Sequence, residues 1–194
     1  MSVKITPRSL RGPWLSGFAL DVHTISSTFL ANDSLGHPQF DTVRSPIGEL
    51  VYRLKYKHDN AAMDEIVEAA VEFLSSWKPE VEAIIPAPPS NTGRLSQPVL
   101  EIANRISQKT GVPVCDTCIK KIKKTGQMKD FEISKRTDVL SDAYAVDPEK
   151  IAHRRLLLFD DLYDSGATAN TIAKALLAQG GAAAVYLLTL TQTR

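Results

Sequence analysis

The sequence has few cysteines, no long apolar run and almost no net charge. Its two cysteines among 194 residues exclude a disulfide framework as the device that organises the fold. No apolar run approaches the roughly 18 residues that a membrane span needs, and residues 1–10 are not followed by the apolar region of a signal peptide. We therefore expect a cytoplasmic protein without a membrane partner.

Acidic and basic residues nearly balance. Lys and Arg number 23 and Asp and Glu number 22, which leaves a net charge of +1. This balance gives no support to nucleic-acid binding, because such binding usually needs a strongly basic surface. The chain length and the 43% of hydrophobic residues indicate one domain with a sizeable core.

The two cysteines, Cys115 and Cys118, form one Cys-x-x-Cys motif. A redox pair and half of a zinc site are the two chemical interpretations. A zinc site needs two more ligands, however, and no paired His or Cys motif supplies them. We prefer a third interpretation, in which two small residues lie at a strand end and in the loop after it, because it needs no further motif.

From residue 81 onwards, short apolar runs alternate with segments of helical periodicity. The strand-like runs are 81–86, 112–115, 143–146, 155–159 and 184–191, and the helical segments are 95–109 and 167–179. This alternation predicts an α/β fold with a mostly parallel, twisted sheet flanked by helices. Such sheets bind ligands at the carboxyl ends of their strands, so we expect the site after Pro86, Cys115 and Phe159.

The preceding part of the chain has a different pattern. Residues 14–30 are rich in β-branched and aromatic side chains and predict a strand or hairpin arm. Apolar spacing predicts a helix over 46–56. Asp59 or Asn60 is the predicted N-cap of a second helix, which runs to about Trp77.

These patterns divide the chain into two parts. We predict a small N-terminal cap or hood over residues 1–57. The core is predicted over residues 58–194, where strands and helices alternate. The cap looks too small and too irregular for a second full domain.

The segment 156–168 carries the strongest chemical signal. Its apolar start predicts a buried strand, and its end leads into the helix predicted over 167–179. A helix N-terminus presents free backbone N–H groups and the positive end of a dipole, which together bind phosphate. Gly166 lets the backbone approach the phosphate closely. The hydroxyls of Ser165 and Thr168 can donate to the phosphate or cap the helix.

Asp160 and Asp161 lie between that strand and the turn. Carboxylates accept hydrogen bonds from vicinal hydroxyls or hold a divalent cation. Ribose 5-phosphate offers a diol and a phosphate, and a C1 pyrophosphate with Mg²⁺ converts it to phosphoribosyl pyrophosphate (PRPP). Two other classes of protein also use acids that follow a strand. A receiver domain has its paired acids near the chain start, unlike this segment, and a haloacid dehalogenase needs an Asp-x-Asp motif, which is not found here. A merely capped helix requires neither the two acids nor the glycine.

The segment resembles the PRPP-binding motif of type I phosphoribosyltransferases. The resemblance implies the fold of that family, with PRPP as ligand and Mg²⁺ as cofactor. It implies that Asp160 and Asp161 contact the ribose hydroxyls and the metal ion. The implied cradle for the 5′-phosphate consists of Asp164, Ser165, Gly166, Ala167 and Thr168. In purine-specific members of the family, the acid at the position of Asp164 lies near the base nitrogen. The resemblance therefore implies a general-base role for Asp164.

Two further segments suit a pyrophosphate group. The first is the proline-rich turn after the strand that ends at Pro86, where a loop can bind the anion. Its predicted pyrophosphate-binding residues are Ala87, Pro88, Ser90 and Arg94. The second is the basic stretch 120–137, which resembles the family's flexible catalytic loop. Its catalytic candidates are Lys124, Lys129 and Arg136. An ordinary loop and a solvated charge run are the respective alternatives.

A closer resemblance is to phosphoribosyltransferase-like proteins of the competence-protein F (ComF) type. It rests on residues 52–57 (Tyr-Arg-Leu-Lys-Tyr-Lys), on 85–88 (Ile-Pro-Ala-Pro), and on Lys124-Thr125 with Gln127 and Arg136. It covers roughly residues 46–194. The family's N-terminal zinc ribbon is absent and its Arg-Gly-Phe-Asn-Gln stretch is shortened at 93–97, which argues against a DNA-uptake role.

Together these features predict a PRPP-dependent phosphoribosyltransferase. A nitrogen nucleophile of an unidentified acceptor displaces pyrophosphate from C1 of PRPP, while Mg²⁺ and basic side chains stabilise the departing charge. Two alternatives stay open. One is a PRPP- or nucleotide-sensing regulator or a ComF-like accessory factor in DNA handling, and the other is an interaction scaffold with a relict phosphate site. A homodimer is expected because dimers are the common choice of soluble proteins.

Overall fold

A computed structural model of the chain describes residues 3–57, 59–89, 97–122 and 143–193. Its strands are β1 (Arg8–Ser9), β2 (Ser16–Val22), β3 (Thr24–Asn32), β4 (Pro38–Arg44), β5 (Ala83–Pro86), β6 (Ile119–Lys121), β7 (Tyr144–Val146), β8 (Arg155–Tyr163) and β9 (Ala184–Gln192). Its helices are α1 (Pro46–Lys57), α2 (Asn60–Trp77), α3 (Pro98–Thr110), α4 (Pro148–Ile151) and α5 (Ala167–Ala178). Within the described ranges, no helix is both long and apolar enough to cross a lipid bilayer.

The main sheet has five strands in the order β1–β2–β9–β8–β5. Strands β2, β9, β8 and β5 are parallel, and β1 joins the edge antiparallel to β2. The predicted α/β fold with a mostly parallel sheet is therefore confirmed. Because the strands are parallel, the carboxyl ends of β2, β9, β8 and β5 lie at one edge of the sheet.

Two apolar clusters cover the two faces of the sheet. Along β8, Leu156 and Leu158 belong to one cluster with the buried side of α5, and Leu157 and Phe159 belong to the other with α1, α2 and α3. This alternation follows from the two-residue period of a strand. Each of these four side chains is at most 1% exposed, and burial of such a side chain contributes roughly 2 kcal/mol.

Helices α1, α2 and α3 follow the sequence signals closely. The predicted helix over 46–56 is confirmed as α1, and the predicted N-cap Asp59 accepts a hydrogen bond from the Ala61 N–H at 3.0 Å. Helix α3 ends at Gly111, whose φ of 75° ends the helical path without strain because glycine has no Cβ. Local chemistry thus sets the start of α2 and the end of α3.

The predicted strand over 112–115 is wrong. The described structure has a single parallel bridge there, which joins Val114 to Ile84 of β5. Two backbone hydrogen bonds flank it, from the Ile84 N–H to the Pro113 carbonyl at 2.8 Å and from the Cys115 N–H to the Ile84 carbonyl at 2.9 Å. One bridge is enough to hold this segment beside β5, although it is too short to form a strand.

Residues 3–57, which belong to the predicted cap, contribute to two of the three sheets in the described part of the chain. Strands β1 and β2 lie in the main sheet, and β3 and β4 form a separate antiparallel hairpin. Phe29 and Phe40 pair across the hairpin with ring centroids 5.8 Å apart, yet each is more than half exposed. The hairpin starts directly after β2, so it begins at the carboxyl edge of the main sheet.

Candidate functional site

Strand β8 carries both acids of the candidate site. The prediction that Asp160 and Asp161 lie in a loop after Phe159 is wrong, because β8 continues to Tyr163. Strand β9 accompanies it to this point, and Asp160 pairs with Thr189 in the parallel register. The backbone of both acids is therefore held by the sheet, which restricts it more than a loop would.

Asp160 lies in surroundings that disfavour a negative charge. Burial, aided by the negative charge of Asp161, raises the pKa of Asp160 to about 7. The Asp161 N–H, which donates to Oδ1 of Asp160 at 2.8 Å, and the Lys55 ammonium act in the opposite direction. Because this pKa lies near neutral pH, a cation that binds beside Asp160 would ionise the carboxyl.

Asp161 has a different environment because it has a cationic partner. The ammonium of Lys55, in the last turn of α1, lies 2.6 Å from Oδ2 of Asp161. The two side chains are 27% and 20% exposed, so the ion pair is only partly screened by water. The two adjacent acids thus differ: a lysine compensates the charge of Asp161, whereas burial raises the pKa of Asp160.

The turn after β8 depends on Gly166. This residue is the N-cap of α5, with a φ of 77°, a region that residues with a Cβ rarely adopt. A Cβ at this position would also overlap the hydroxyl of Tyr163. The alternative in which Ser165 or Thr168 is the N-cap is excluded, although Ser165 Oγ accepts a long hydrogen bond, 3.4 Å, from the Ala167 N–H.

The first turn of α5 keeps backbone donors available. Gly166 provides no side-chain cap, and among the described residues no hydrogen bond involves the N–H of Thr168 or Ala169. Free N–H groups at a helix start, together with the helix dipole, bind anions. Beside them, Asp164 Oδ1 accepts a hydrogen bond from the Thr193 hydroxyl at 2.9 Å. The turn therefore has the open donors that a phosphate needs.

A cavity of about 710 Å³ lies at the carboxyl ends of β5 and β8. The predicted site residues that line it are Asp160, Asp161, Thr168, Ala87 and Pro88. Three lysines also line it, namely Lys55, Lys120 and Lys121, together with Asp116. The structure thus brings the acids, the start of α5 and the first part of the predicted pyrophosphate loop to one cavity.

The proline-rich wall of this cavity offers no backbone donor. Pro86, Pro88 and Pro89 have no N–H, and the Ala87 N–H donates to the Phe159 carbonyl at 2.8 Å. All four residues line the cavity. An anion at this wall must therefore be bound by donors from other segments.

His23 connects the end of β2 to the acids. Its Nδ1 lies 3.2 Å from the Thr191 hydroxyl, which donates to the Asp161 carbonyl at 3.1 Å. Because the Thr191 proton points to Asp161, Nδ1 of His23 must be the donor and Nε2 is left as an acceptor. Burial, and after it the positive charges of Arg44 and Lys55, lower the pKa of His23. The ring is therefore neutral at pH 7.

Cys115 and Cys118 form a disulfide, with Cα atoms 5.5 Å apart. The preferred interpretation of two separate small residues is therefore wrong, and the redox-pair interpretation agrees with the bond. No group of three or more potential metal ligands occurs among the described residues, which gives no support to a zinc site there. The bridge closes the turn that carries Asp116 to the cavity.

Five predicted site residues lie outside the described parts of the chain. They are Ser90, Arg94, Lys124, Lys129 and Arg136. Their predicted roles at the pyrophosphate stay predictions. Sequence analysis missed Lys55 and His23 as site residues. Lys55 belongs to the quoted segment 52–57, which could have indicated it, whereas His23 had no comparable signal.

Similarity to known proteins was found at the level of structure. Neither a protein-family model nor a curated protein sequence matches the chain. Adenine phosphoribosyltransferase from Saccharomyces cerevisiae aligns over 87% of this chain and 85% of its own, with a TM-score of 0.50 and 11% identity. The enzyme from Thermoanaerobacter pseudethanolicus aligns over 86% of this chain and 95% of its own, with a TM-score of 0.46 and 13% identity.

The yeast alignment and the sheet order together define the class. The chain has the type I phosphoribosyltransferase fold: a mostly parallel five-stranded sheet with helices on both faces. An identity of 11% establishes the fold and no particular activity. What the chain does must therefore be argued from its own site.

Proposed function

We propose that this protein binds PRPP together with Mg²⁺ and transfers the phosphoribosyl group to a nitrogen atom of an acceptor. One observation carries the proposal: two carboxyl groups and the open N–H groups at the start of α5 occur at the same strand–helix junction. Carboxylates suit a diol or a metal ion, and the helix start suits a phosphate. A sugar phosphate offers both a diol for the carboxylates and a phosphate for the helix start.

The proposed arrangement divides PRPP into three parts. The 5′-phosphate binds the turn 164–168, and the ribose hydroxyls bind Asp160 and Asp161. The pyrophosphate lies along the wall formed by residues 86–89. Because that wall supplies no N–H donor, the lysines at the cavity provide the positive charge. Ser90, Arg94, Lys124, Lys129 and Arg136 belong to this part of the proposal.

The acids also fit Mg²⁺. This ion prefers oxygen ligands and is usually held by one or two carboxylates together with substrate phosphates and water. Asp160 and Asp161 match that pattern, since they are two adjacent carboxyl groups that line the same cavity. When bound, Mg²⁺ would neutralise negative charge on the pyrophosphate. The raised pKa of Asp160 agrees with a carboxyl that becomes ionised when a cation is present.

The reaction forms a bond between the acceptor nitrogen and C1 and breaks the bond between C1 and the pyrophosphate oxygen. The nitrogen then loses a proton, for which Asp164 is the proposed base. A second cavity, of about 340 Å³, is lined by His23, Thr193 and residues 24–27. Thr193 contacts both this cavity and Asp164. We therefore assign the acceptor to this second cavity, where neutral His23 also offers a hydrogen-bond acceptor.

Ligand binding without turnover is the second candidate function. The two features that carry the proposal, the carboxyl groups of β8 and the open N–H groups at the start of α5, suit ligand binding whether or not transfer follows. Within the fold, residues 52–57 and 85–88 support a relation to the ComF type, and an accessory role in DNA handling is the corresponding form of this candidate. A cytoplasmic location and a homodimer stay predictions.

Thermal denaturation with Mg²⁺ and PRPP tests the ligand. We expect the ligand to raise the melting temperature of the unmodified protein, as binding to the folded state requires. The double substitution Asp160→Asn with Asp161→Asn should remove this rise. A control that also removes two carboxylates, Asp41→Asn with Asp147→Asn, should keep it. The proposal fails if the unmodified protein shows no rise.

Turnover separates the two candidates. Pyrophosphate release is measured with Mg²⁺, PRPP and a panel of nucleobases and amines. Release with any acceptor that depends on Asp160 and Asp161 supports transfer. A thermal shift without release over the whole panel supports a binding protein instead.

A further inference from the structure

Lys55 holds a carboxylate that the proposed ligand also needs. Its ammonium lies 2.6 Å from Asp161 Oδ2, and both side chains line the larger cavity. Among the described residues, this is the only ion pair formed by an acid of that cavity. Lys120 and Lys121 line the same cavity and form no ion pair within the described part of the chain.

A divalent cation and an ammonium compete for Asp161. Two like charges held at one carboxylate repel each other strongly in partly buried surroundings, where screening by water is reduced. Lys55 must therefore move away from Asp161 when a metal ion binds the acids.

The cavity offers Lys55 a second kind of partner. Residues 86–89 form a wall without a free N–H, since three are prolines and the Ala87 N–H is bonded to Phe159. A pyrophosphate at this wall has to be bound by side chains. A lysine has three donors on a flexible stem of four carbons, so its ammonium can change partners without movement of the helix.

We propose that Lys55 exchanges partners on ligand binding: it neutralises Asp161 in the free protein and binds a pyrophosphate oxygen when a divalent cation takes Asp161. This inference rests on the proposed function and adds a positioning residue from the N-terminal region to it. Lys55 then opposes binding of the metal ion alone but favours binding of the metal ion together with PRPP. The protein consequently binds the metal and PRPP cooperatively.

The substitution Lys55→Met tests the exchange because it predicts effects of opposite sign. Binding of Mn²⁺ alone, measured by electron paramagnetic resonance, should become roughly fivefold tighter, since a competing charge is removed. Binding of PRPP with Mg²⁺, measured by calorimetry, should become roughly tenfold weaker, since a charge-assisted hydrogen bond is lost. Lys55→Arg, which keeps the charge and the donors, should restore PRPP binding at least in part.

Lys57→Met is the matched control. Lys57 lies in the same last turn of α1, and the substitution removes the same charge, but Lys57 does not line the cavity. Both affinities should stay within about twofold of the unmodified protein, because exposed charges are largely screened.

Every other pattern overturns the exchange. Weaker binding of both probes by Lys55→Met would show that Lys55 only supports the acid pair, and tighter binding of both would show that it only obstructs the site. Unchanged affinities would show that Lys55 takes no part. If the unmodified protein itself binds no PRPP with Mg²⁺, the proposed function fails, and the exchange fails with it. The unmodified protein thus separates the two failures.

Discussion

The acid pair (Asp160 and Asp161) and the phosphate turn (residues 164–168) belong to one strand–helix junction but satisfy their polar groups differently. The acid pair lies in β8, where burial raises the pKa of Asp160 and the Lys55 ammonium pairs with Asp161. The phosphate turn lies at the start of α5, where backbone N–H groups have no partner among the described residues. The charge of the acid pair is thus compensated within the protein, whereas the N–H groups of the phosphate turn are open to a ligand.

Because of this difference, ligand binding should depend on different physical factors in the two regions. A ligand of the acid pair has to replace protein interactions, so binding there depends on charge, pH and competing cations. A ligand of the phosphate turn meets donors that are already oriented, so binding there depends on backbone conformation. Substitutions that change charge should therefore act on the acid pair, and substitutions that change φ should act on the turn.

The largest expected effect is the pH dependence that Asp160 gives to stability. Its pKa rises from the ordinary value of 3.8 to about 7 on folding. Between these values the unfolded chain releases the proton and the folded protein keeps it, so the free energy of unfolding falls as pH rises through this window. We expect a loss of about 4 kcal/mol between pH 4 and pH 8, measured by urea denaturation.

The matched variant for this prediction is Asp160→Asn, which stays neutral and keeps the shape. Its stability should equal that of the unmodified protein near pH 4 and exceed it by about 4 kcal/mol at pH 8. Asp161→Asn should not show this excess, since it breaks the ion pair with Lys55. A constant difference between Asp160→Asn and the unmodified protein from pH 4 to pH 8 would contradict the prediction.

The second effect concerns the backbone of the phosphate turn. Gly166→Ala should lower the free energy of unfolding by about 2 kcal/mol and remove the thermal shift with PRPP, because the φ of 77° is strained for alanine and the new Cβ overlaps Tyr163. Gly36→Ala is the control. It has a φ of 82° in the β3–β4 hairpin but nothing within 4 Å of the added Cβ.

The control separates strain from contact. Gly36→Ala should cost about 1 kcal/mol, the usual penalty of a left-handed residue, and leave the PRPP shift unchanged. Equal losses in the two variants would show that the overlap with Tyr163 contributes nothing. A retained PRPP shift in Gly166→Ala would show that the phosphate does not depend on this turn.

The smallest effect concerns the side chain at the turn. Thr193→Val removes the hydroxyl that donates to Asp164 at 2.9 Å. Because this hydrogen bond is exposed, its loss should change the stability by less than about 1 kcal/mol. Calorimetry with PRPP should give an affinity within about threefold of the unmodified protein, since backbone donors bind the phosphate. A large loss of affinity would show that phosphate binding depends on the hydrogen bond between Thr193 and Asp164.

Local signals predicted most of the fold and part of the site. The alternation of apolar runs and helical segments predicted β5, β8 and β9 of the main sheet but did not place β1 and β2 in it. The capping signal at Asp59 was correct. The end of β8 was missed because Asp160 and Asp161 interrupt the apolar pattern, although the sheet continues through them. Hydrogen bonding to β9, which the pattern does not contain, keeps the strand extended.

The missed site residues share a physical cause. Lys55 meets Asp161, and His23 meets Thr191, only after distant parts of the chain have packed together. Neither contact leaves a periodic pattern or a motif spacing in the sequence. A lysine in the last turn of a helix also has a purely local explanation, since it favours the helix dipole.

The pairing of β2 with β9 has a consequence for the order of events during synthesis. Ser16 pairs with Tyr186 and Val22 with Gln192, so an early strand of the described chain has a late strand as its neighbour in the sheet. On the ribosome β2 must wait until β9 has emerged, because β9 is what joins it to β8. Closing so long a loop is slow. Until β9 has emerged, the edge of β2 that pairs with it has no partner in the sheet, and unpaired strand edges of this kind favour aggregation.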